Sequence, residues 1–273
     1  MARSLPRRIW LVVKSLVLLA VCVLVFQVVA PQLRSTEHFV PVGNEPRVHY
    51  EPGAENAAHT IAQALPAAIA AVEAGHFRPF SQPVVVHVCA TTESFDRYAF
   101  GVQGAGGYVY AGRLFISPKP VNTAERLPRL VTHELSHLHL EQAAGMFWMA
   151  SAVPGWFKEG LATHVARGGG AEAVSEAEAR AAIATGRVFQ RDASGSILFP
   201  QTGQRDGLPA HLFYRESALF VAFLARAAPT GSFEQLLLAL QDRTDFSDAI
   251  QKSYARDLPT LWSEFTAEVA LTK

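Results

Sequence analysis

The sequence has only two cysteines among its 273 residues, Cys22 and Cys89. Cys22 lies in an apolar N-terminal segment and Cys89 in a β-branched, strand-like run, so we expect no disulfide between them. The fold must therefore depend on the burial of apolar side chains. A chain of this length can form one large domain, or two small ones, with a sizeable core.

The sequence also lacks an excess of charge of either sign. Lys and Arg number 24 and Asp and Glu number 24, which gives a formal net charge of +0. This balance provides no long-range attraction to nucleic acid, and no zinc-finger or RNA-recognition signature is present. We expect no nucleic-acid partner. With 49% hydrophobic and 18% charged residues, the composition is typical of a folded protein.

One long hydrophobic run is present at residues 9–30, with Lys14 as its only charge. About 20 apolar residues cross the hydrocarbon core of a bilayer, and the arginines before the run favour a cytoplasmic N-terminus. We predict that residues 1–30 form a single-pass membrane anchor, with the rest of the chain on the extracytoplasmic (periplasmic) side. A cleaved signal peptide is the alternative, which Pro31 disfavours because it would follow the cut.

The rest of the chain divides by composition. Residues 31–55 contain four prolines and are predicted to be a linker with one short strand at Arg47–Tyr50. Residues 56–273 are predicted to be a single domain, in which β-branched runs at 83–91 and 108–118 precede a largely helical second half. Strands followed by helices predict an α+β fold, with a small N-terminal mixed β-sheet and a mostly helical C-terminal half.

The segment "HELSH" places His133 and His137 four residues apart, in a predicted helix from about Asn122 to Gly145. Residues at i and i+4 share one face of a helix, so both imidazoles can reach one cation. Glu134 lies beside that face and can act on a metal-bound water, which is the physical content of the HExxH pattern. We predict His133 and His137 as metal ligands and Glu134 as a catalytic residue.

A catalytic Zn²⁺ ion takes three protein ligands and keeps one position for water, so a third ligand is required. The best candidate is Glu159 in "PGWFKEGLATHVA", 22 residues after His137. This spacing accommodates a loop and an antiparallel return helix that begins after Pro154–Gly155. We expect Gly160 to let this second helix approach the first one closely.

These two segments resemble the metal helices of the gluzincin metallopeptidases, the thermolysin-like and aminopeptidase-like branch of the zincins. In that family HExxH is followed by a helix with the pattern W-x-x-E-G-[LF]-A. The resemblance implies a zincin-like fold, Zn²⁺ bound by His133, His137 and Glu159, and Glu134 as general base. It extends less specifically over residues 80–270, which look like small peptidase-MA-like domains of bacteria.

The sequence departs from the family at two positions near Glu159. Lys158 stands where the aminopeptidases have Asn, and no G-x-M-E-N motif precedes the zinc helix, so recognition of a free substrate amine is not expected. Thr163 stands where thermolysin-like enzymes have an Asp that supports a zinc histidine. This weaker support for the histidine is the reason to keep a non-catalytic alternative open.

Hydrolysis also requires a hydrogen-bond donor for the developing oxyanion. Tyr214 is the candidate, since the resembling domains tend to carry a tyrosine there, and His211 is the alternative. His139, two residues past His137, is expected to point away from the metal and to be partly exposed or to contact a ligand. The segment Tyr108–Ile116 could be the edge strand that aligns an extended peptide.

The sequence thus predicts a membrane-anchored, extracytoplasmic zinc metallopeptidase that hydrolyses peptide bonds in a peptide or protein substrate. The alternative is a zincin-fold scaffold or chaperone of the cell envelope that holds zinc without catalysis. A zinc hydrolase of non-peptide amides is a third hypothesis. All three depend on two imidazoles and a distant carboxylate meeting at one ion.

Overall fold

The computed structural model describes residues 7–29, 34–99, 104–119 and 123–271. The strands described are β1 (Val40–Val42), β2 (Glu45–Tyr50), β3 (Val86–Val88), β4 (Gly107–Tyr110) and β5 (Arg113–Ile116). The helices described are α1 (Arg7–Val29), α2 (Glu55–His76), α3 (Thr92–Tyr98), α4 (Leu127–Ala144), α5 (Met146–Ala152), α6 (Gly155–Val165), α7 (Glu176–Ala184), α8 (Ala210–Arg226), α9 (Ser232–Gln241), α10 (Phe246–Tyr254) and α11 (Leu258–Leu271).

The strands form one mixed sheet in the order β1-β2-β3-β5-β4. The three central strands are parallel, and the edge strands β1 and β4 pair antiparallel with their neighbours. Helices α2 and α4 pack on one face, where Val48, Val86 and Leu114 of the sheet are buried with Ile61 and Leu135. The predicted α+β class, with a small mixed sheet and a mostly helical second half, is confirmed.

The sheet extends into the segment that composition predicts as a linker. Residues 40–50 form β1 and β2, and β2 contains the predicted strand Arg47–Tyr50. Val48 of β2 is fully buried and pairs with β3. The prolines that suggested a linker are compatible with this role, because Pro41 lies on an edge strand and Pro46 near the start of β2.

The predicted membrane anchor is not supported. Crossing the hydrocarbon core takes about 20 successive, predominantly apolar residues in one helix. Over residues 7–29, 34–99, 104–119 and 123–271, no helix meets both the length and the apolarity that a membrane crossing demands. The single-pass anchor, and the membrane-anchored localisation that depended on it, are therefore wrong predictions.

Helix α4 carries the HELSH segment and begins at Leu127, whereas the predicted start at Asn122 lies outside the described residues. Pro128 does not divide the helix but occupies its first turn. Proline fits there because the first-turn N–H groups have no partner within the helix. Val131, Leu135 and their neighbours bury one face of α4 against the sheet, which leaves another face for the metal ligands.

Helix α6 carries Glu159 and begins at Gly155, one residue before the predicted start. Trp156 and Phe157 are fully buried in a second core between the C-terminal helices, with ring centroids 5.7 Å and 5.1 Å from Phe246. These large rings leave α6 little freedom to rotate about its own axis, because displacing them would open cavities. The direction in which Glu159 points is fixed by this packing.

Gly160 was predicted to let α6 approach α4 closely, but the helix that it approaches is α8. A Cβ atom at Gly160 would lie 2.6 Å from the carbonyl oxygen of Ser217 and 2.9 Å from Val221, both on α8. Successive helix residues are about 100° apart around the axis, so a helix that turns Glu159 toward α4 turns Gly160 elsewhere. The glycine brings α6 close to α8, which carries Tyr214.

We predict that Gly160→Ala lowers the free energy of unfolding by about 1–2 kcal/mol, measured by urea denaturation. Overpacking against backbone typically costs about 1–3 kcal/mol, more than the roughly 1 kcal/mol that alanine gains over glycine in a helix. Gly43→Ala is the matched control, because a Cβ there meets no atom within 4 Å. Equal stability of the two variants would contradict the close contact of α6 with α8.

Candidate metal centre

Three side chains from two helices meet at one point. His133 and His137 project from one face of α4, and Glu159 projects from α6. The Nε2 atoms of the two histidines are 3.2 Å apart. Oε2 of Glu159 lies 3.3 Å from Nε2 of His133 and 3.5 Å from Nε2 of His137. The three atoms therefore form a nearly equilateral triangle, and the group can hold a metal ion.

The size of this triangle fits a small divalent ion. Bonds of about 2.0–2.1 Å to imidazole nitrogen and carboxylate oxygen, at tetrahedral angles, separate ligand atoms by about 3.3–3.4 Å. The three observed separations of 3.2, 3.3 and 3.5 Å bracket that value. An ion bound by these three side chains would still need a fourth ligand, because tetrahedral coordination takes four. The residues present therefore fit a three-ligand site with one exchangeable position.

His133 is oriented by a backbone carbonyl. Its Nδ1–H donates to the carbonyl oxygen of Gly169 over 3.1 Å, while Thr163 Oγ1 is 3.5 Å away. A proton held on Nδ1 leaves the Nε2 lone pair free for a metal. Thr163 was expected to orient His133 only weakly. The hydrogen bond that orients His133 is mainly the one to the Gly169 carbonyl.

The glycine run after α6 has a role that the sequence analysis did not identify. Gly170 has a φ of +86°, and a Cβ there would lie 2.9 Å from two atoms of the His133 ring. Gly169 also passes close to the α4 backbone, since its Cβ would lie 2.7 Å from the carbonyl oxygen of Arg129. Three consecutive glycines just beyond a metal-ligand helix were the available signal for this close approach.

The buried ligands stabilise one another electrostatically. Burial disfavours the charged form of each group, but the negative charge of Glu159 raises the pKa of His137 above its ordinary value. Conversely, the charges of the two nearby histidines outweigh burial and hold the pKa of Glu159 well below its usual range. A cation bound here would favour the deprotonated forms of all three groups, so metal binding would depend on pH.

Glu134 lies beside the triangle, between α4 and the sheet. Its side chain is 9% exposed, and a Cβ atom at Gly107 of β4 would lie 2.6–2.9 Å from its Cγ, Cδ and Oε1 atoms. Burial raises the pKa of Glu134 above its ordinary value, although the charges of His133 and His137 oppose that rise. The glycine on β4 provides the space that this carboxyl group occupies.

The ligands and Glu134 open into a cleft of about 650 Å³. Its walls come from the β4 side of the sheet, from α4, α5 and α6, from the loop before α8, and from the start of α8. The described residues that line it include His133, Glu134, His137, Glu141, Lys158, Glu159, His211, Tyr214 and the segments 104–109, 195–196 and 200–202.

No protein-family model and no curated protein matches this chain. The resemblance to the gluzincins, carried by the two metal-helix segments, therefore stays a prediction. Independently of it, His133, His137 and Glu159 lie together in a group that could hold a metal ion, as the sequence predicted.

The two candidate oxyanion donors both line the cleft but differ in their contacts. The ring of Tyr214 packs on His133 with centroids 5.8 Å apart. The charge of Glu159, burial, the charge of Glu134 and hydrogen bonding to Glu159 all raise the pKa of Tyr214 well above its ordinary value. His211 instead accepts a hydrogen bond from the Ala173 N–H at Nδ1, over 3.4 Å. Of the two candidates, Tyr214 is the one that contacts the ligand group.

His139 points away from the metal, as predicted, but it is not partly exposed. It is 1% exposed, and its Nε2 is 2.8 Å from the carbonyl oxygen of Arg78. Its ring packs on His76 and Phe80, with centroids 4.5 Å and 4.9 Å away. His139 therefore joins α4 to the end of α2 and lies in the core behind the site.

We predict that Gly170→Ala weakens metal binding by about 10–100-fold, the usual cost of disturbing a residue that orients a ligand. The added Cβ displaces the His133 ring. The apparent metal affinity is measured by competition with a chromophoric chelator. Gly186→Ala is the matched control, because Gly186 has a similar φ of +77° and its Cβ meets no atom within 4 Å. Equal losses in both variants would mean that backbone strain, not contact with His133, is responsible.

Proposed function

We propose that this chain is a zinc-dependent metallopeptidase with a zincin-like fold of the gluzincin type. One observation carries the proposal: a buried carboxyl group, Glu134, lies beside a two-histidine, one-carboxylate ligand triangle that faces an open cleft. A structural metal site takes four protein ligands, whereas a catalytic site keeps a position for water. Three protein ligands that face a cleft beside Glu134 support a site of the catalytic kind.

The donor set favours zinc as the metal. Two imidazoles and one carboxylate make up the ligand set of the thermolysin-like catalytic zinc sites. A zinc ion bound there supplies Lewis acidity toward a carbonyl group and lowers the pKa of a water molecule. His133, His137 and Glu159 would hold it, and the Gly169 carbonyl keeps His133 in the required tautomer.

Glu134 is proposed as the general base and then the general acid. It takes a proton from the attacking water and delivers that proton to the nitrogen of the departing amine. Its raised pKa suits this exchange, because a carboxyl group whose pKa lies nearer to neutrality both accepts and releases a proton readily. Packing against Gly107 holds the carboxyl group in one place, so that little reorganisation is needed.

Tyr214 is proposed to donate a hydrogen bond to the substrate carbonyl oxygen as that oxygen gains negative charge. A donor preorganised in a buried site is more effective than the same donor in water. Its raised pKa keeps the phenol protonated at neutral pH, as a donor must be. His211 is the less favourable candidate, because its contact is to the 171–173 loop rather than to the metal ligands.

A peptide is the substrate that the shape of the cleft favours. Strand β4 is the edge of the sheet, and its residues 107–109 line the cleft next to Glu134. An extended peptide can add to such an edge through main-chain hydrogen bonds. Of the segment Tyr108–Ile116, which was predicted to align a substrate, the part in β4 is therefore the part proposed to do so. The zinc-holding scaffold is less favoured, since the Gly169 carbonyl supplies the support whose weakness motivated it.

We predict that Glu134→Gln lowers kcat/KM for peptide hydrolysis by about 10²–10⁴-fold, the contribution typical of a positioned acid–base residue. Zinc content, measured by elemental mass spectrometry, is expected to stay at the parental value. Glu172→Gln, at a glutamate that lines the same cleft outside the ligand triangle, is the control and should retain activity. If the parent yields no chelator-sensitive products from a broad peptide library, the peptidase proposal is wrong.

We predict that Tyr214→Phe lowers kcat by about 10²–10³-fold with little change in KM, as loss of an oxyanion donor does. The ring contact with His133 is retained in this variant, so the change isolates the hydroxyl group. His211→Gln is the comparison. A larger loss of kcat in His211→Gln than in Tyr214→Phe would transfer the role to His211.

A further inference from the structure

A group of exposed apolar side chains lies close to the cleft. Outside α1, the described large apolar residues that are more than half exposed are Phe147 at 59%, Ile197 at 54%, Leu198 at 74%, Phe199 at 74% and Leu271 at 87%. The three at 197–199 are consecutive in sequence. Isolated exposed apolar residues are ordinary, but a contiguous set marks an interaction surface.

Four of these five residues are bracketed by residues of the cleft wall. Ser196 and Pro200 both line the cleft and enclose the exposed segment 197–199. Met146 and Met149 line it on either side of Phe147. We call Phe147 and residues 197–199 the apolar rim. Leu271, at the end of α11, does not line the cleft.

The loop that carries rim residues 197–199 is anchored at both ends. A Cβ at Gly195 would lie 2.3 Å from the carbonyl oxygen of Ala150, so the loop backbone runs directly against the α5 segment. At the other end, Gln201 is 8% exposed, accepts from the Trp156 N–H over 3.2 Å and donates to Asp206 over 2.7 Å. The loop therefore has a fixed base.

The tip of this loop is also ordered. The Phe199 N–H donates to Oγ of Ser196 over 3.0 Å and closes the turn. A closed turn on a fixed base holds its side chains outward, so their exposure follows from the backbone path and not from a loosely attached segment. Burial of these side chains thus requires another molecule.

We propose that the apolar rim docks apolar side chains of a polypeptide substrate beside the bond that is cleaved. The preferred substrates are then polypeptides that expose apolar segments, as unfolded chains do. This inference rests on the proposed peptidase function. The occupant follows from continuity: Ser196 and Pro200, on both sides of 197–199, belong to the cleft wall, so a polypeptide that extends out of the cleft past them lies next to the rim. Transfer of apolar side chains from water onto such a surface is favourable.

The test uses two synthetic peptides of equal length that share one cleavable bond. One has Leu and Phe on both sides of that bond, and the other has Ser and Gln in those places. The parent is expected to have the lower KM for the apolar peptide. The triple variant Ile197→Ser, Leu198→Ser, Phe199→Ser should raise that KM about tenfold, as partial loss of apolar burial predicts, with kcat unchanged, as loss of uniform binding predicts.

A binding measurement makes the test independent of turnover. The zinc-loaded Glu134→Gln protein is titrated with fluorescently labelled apolar peptide, with and without the three serine substitutions. The affinity is expected to fall about tenfold when the rim is replaced. Leu271→Ser is the control, since it removes a leucine that is more exposed than Leu198 and does not line the cleft. Thermal unfolding should be unchanged, because none of the replaced side chains belongs to the core.

The outcomes separate the two proposals. If the parent cleaves neither peptide, the peptidase function fails, while the binding titration still tests the rim. If the triple variant keeps the parental preference and affinity, the rim inference is wrong. A second copy of the chain is the other molecule that could bury the rim, and sedimentation analysis tests for it. Loss of a dimer in the triple variant, with unchanged peptide affinity, would assign the rim to self-association and overturn the proposal.

Discussion

The convergence of two imidazoles and one carboxylate is the interaction on which the site depends. Each group is costly to bury alone, and each offsets the cost of the others by charge and hydrogen bonding. Glu159 lies 3.3 Å and 3.5 Å from the two histidine nitrogens. A triangle of this size can accommodate a divalent ion without rearrangement of the backbone. The free-energy cost of ordering the ligands is then met on folding and does not reduce the affinity for metal.

The packing around the site explains why the triangle has this size. Large aromatic rings fix the orientation of α6 on one side, through Trp156 and Phe157. Small residues allow close approach on the other, at Gly107, Gly160 and Gly170. The aromatic contacts resist rotation of α6. The glycines leave space for their neighbours: Gly107 for Glu134, Gly160 for α8 and Gly170 for His133. Metal affinity and fold stability are therefore coupled through the same residues.

Several features were predictable because they depend on local periodicity. The helical context of His133 and His137, the start of α6 close to Gly155 and the strand structure within 108–118 follow from patterns within about ten residues. The failures have different physical reasons. Prolines at 41 and 46 suggested a linker, yet an edge strand and a strand start tolerate proline. The apolar run at 9–30 suggested an anchor, but no described helix satisfies the requirements of a membrane span.

What the sequence by itself determined is the identity of the ligands and the elements that carry them, because an i, i+4 histidine pair shares a helix face in any fold. Only the tertiary structure decided that Gly160 approaches α8, that the Gly169 carbonyl orients His133, and that residues 196 and 200, which flank the exposed apolar residues 197–199, line the cleft. These are contacts between segments far apart in the chain. They depend on how helices rotate and dock, which no local spacing of residues encodes.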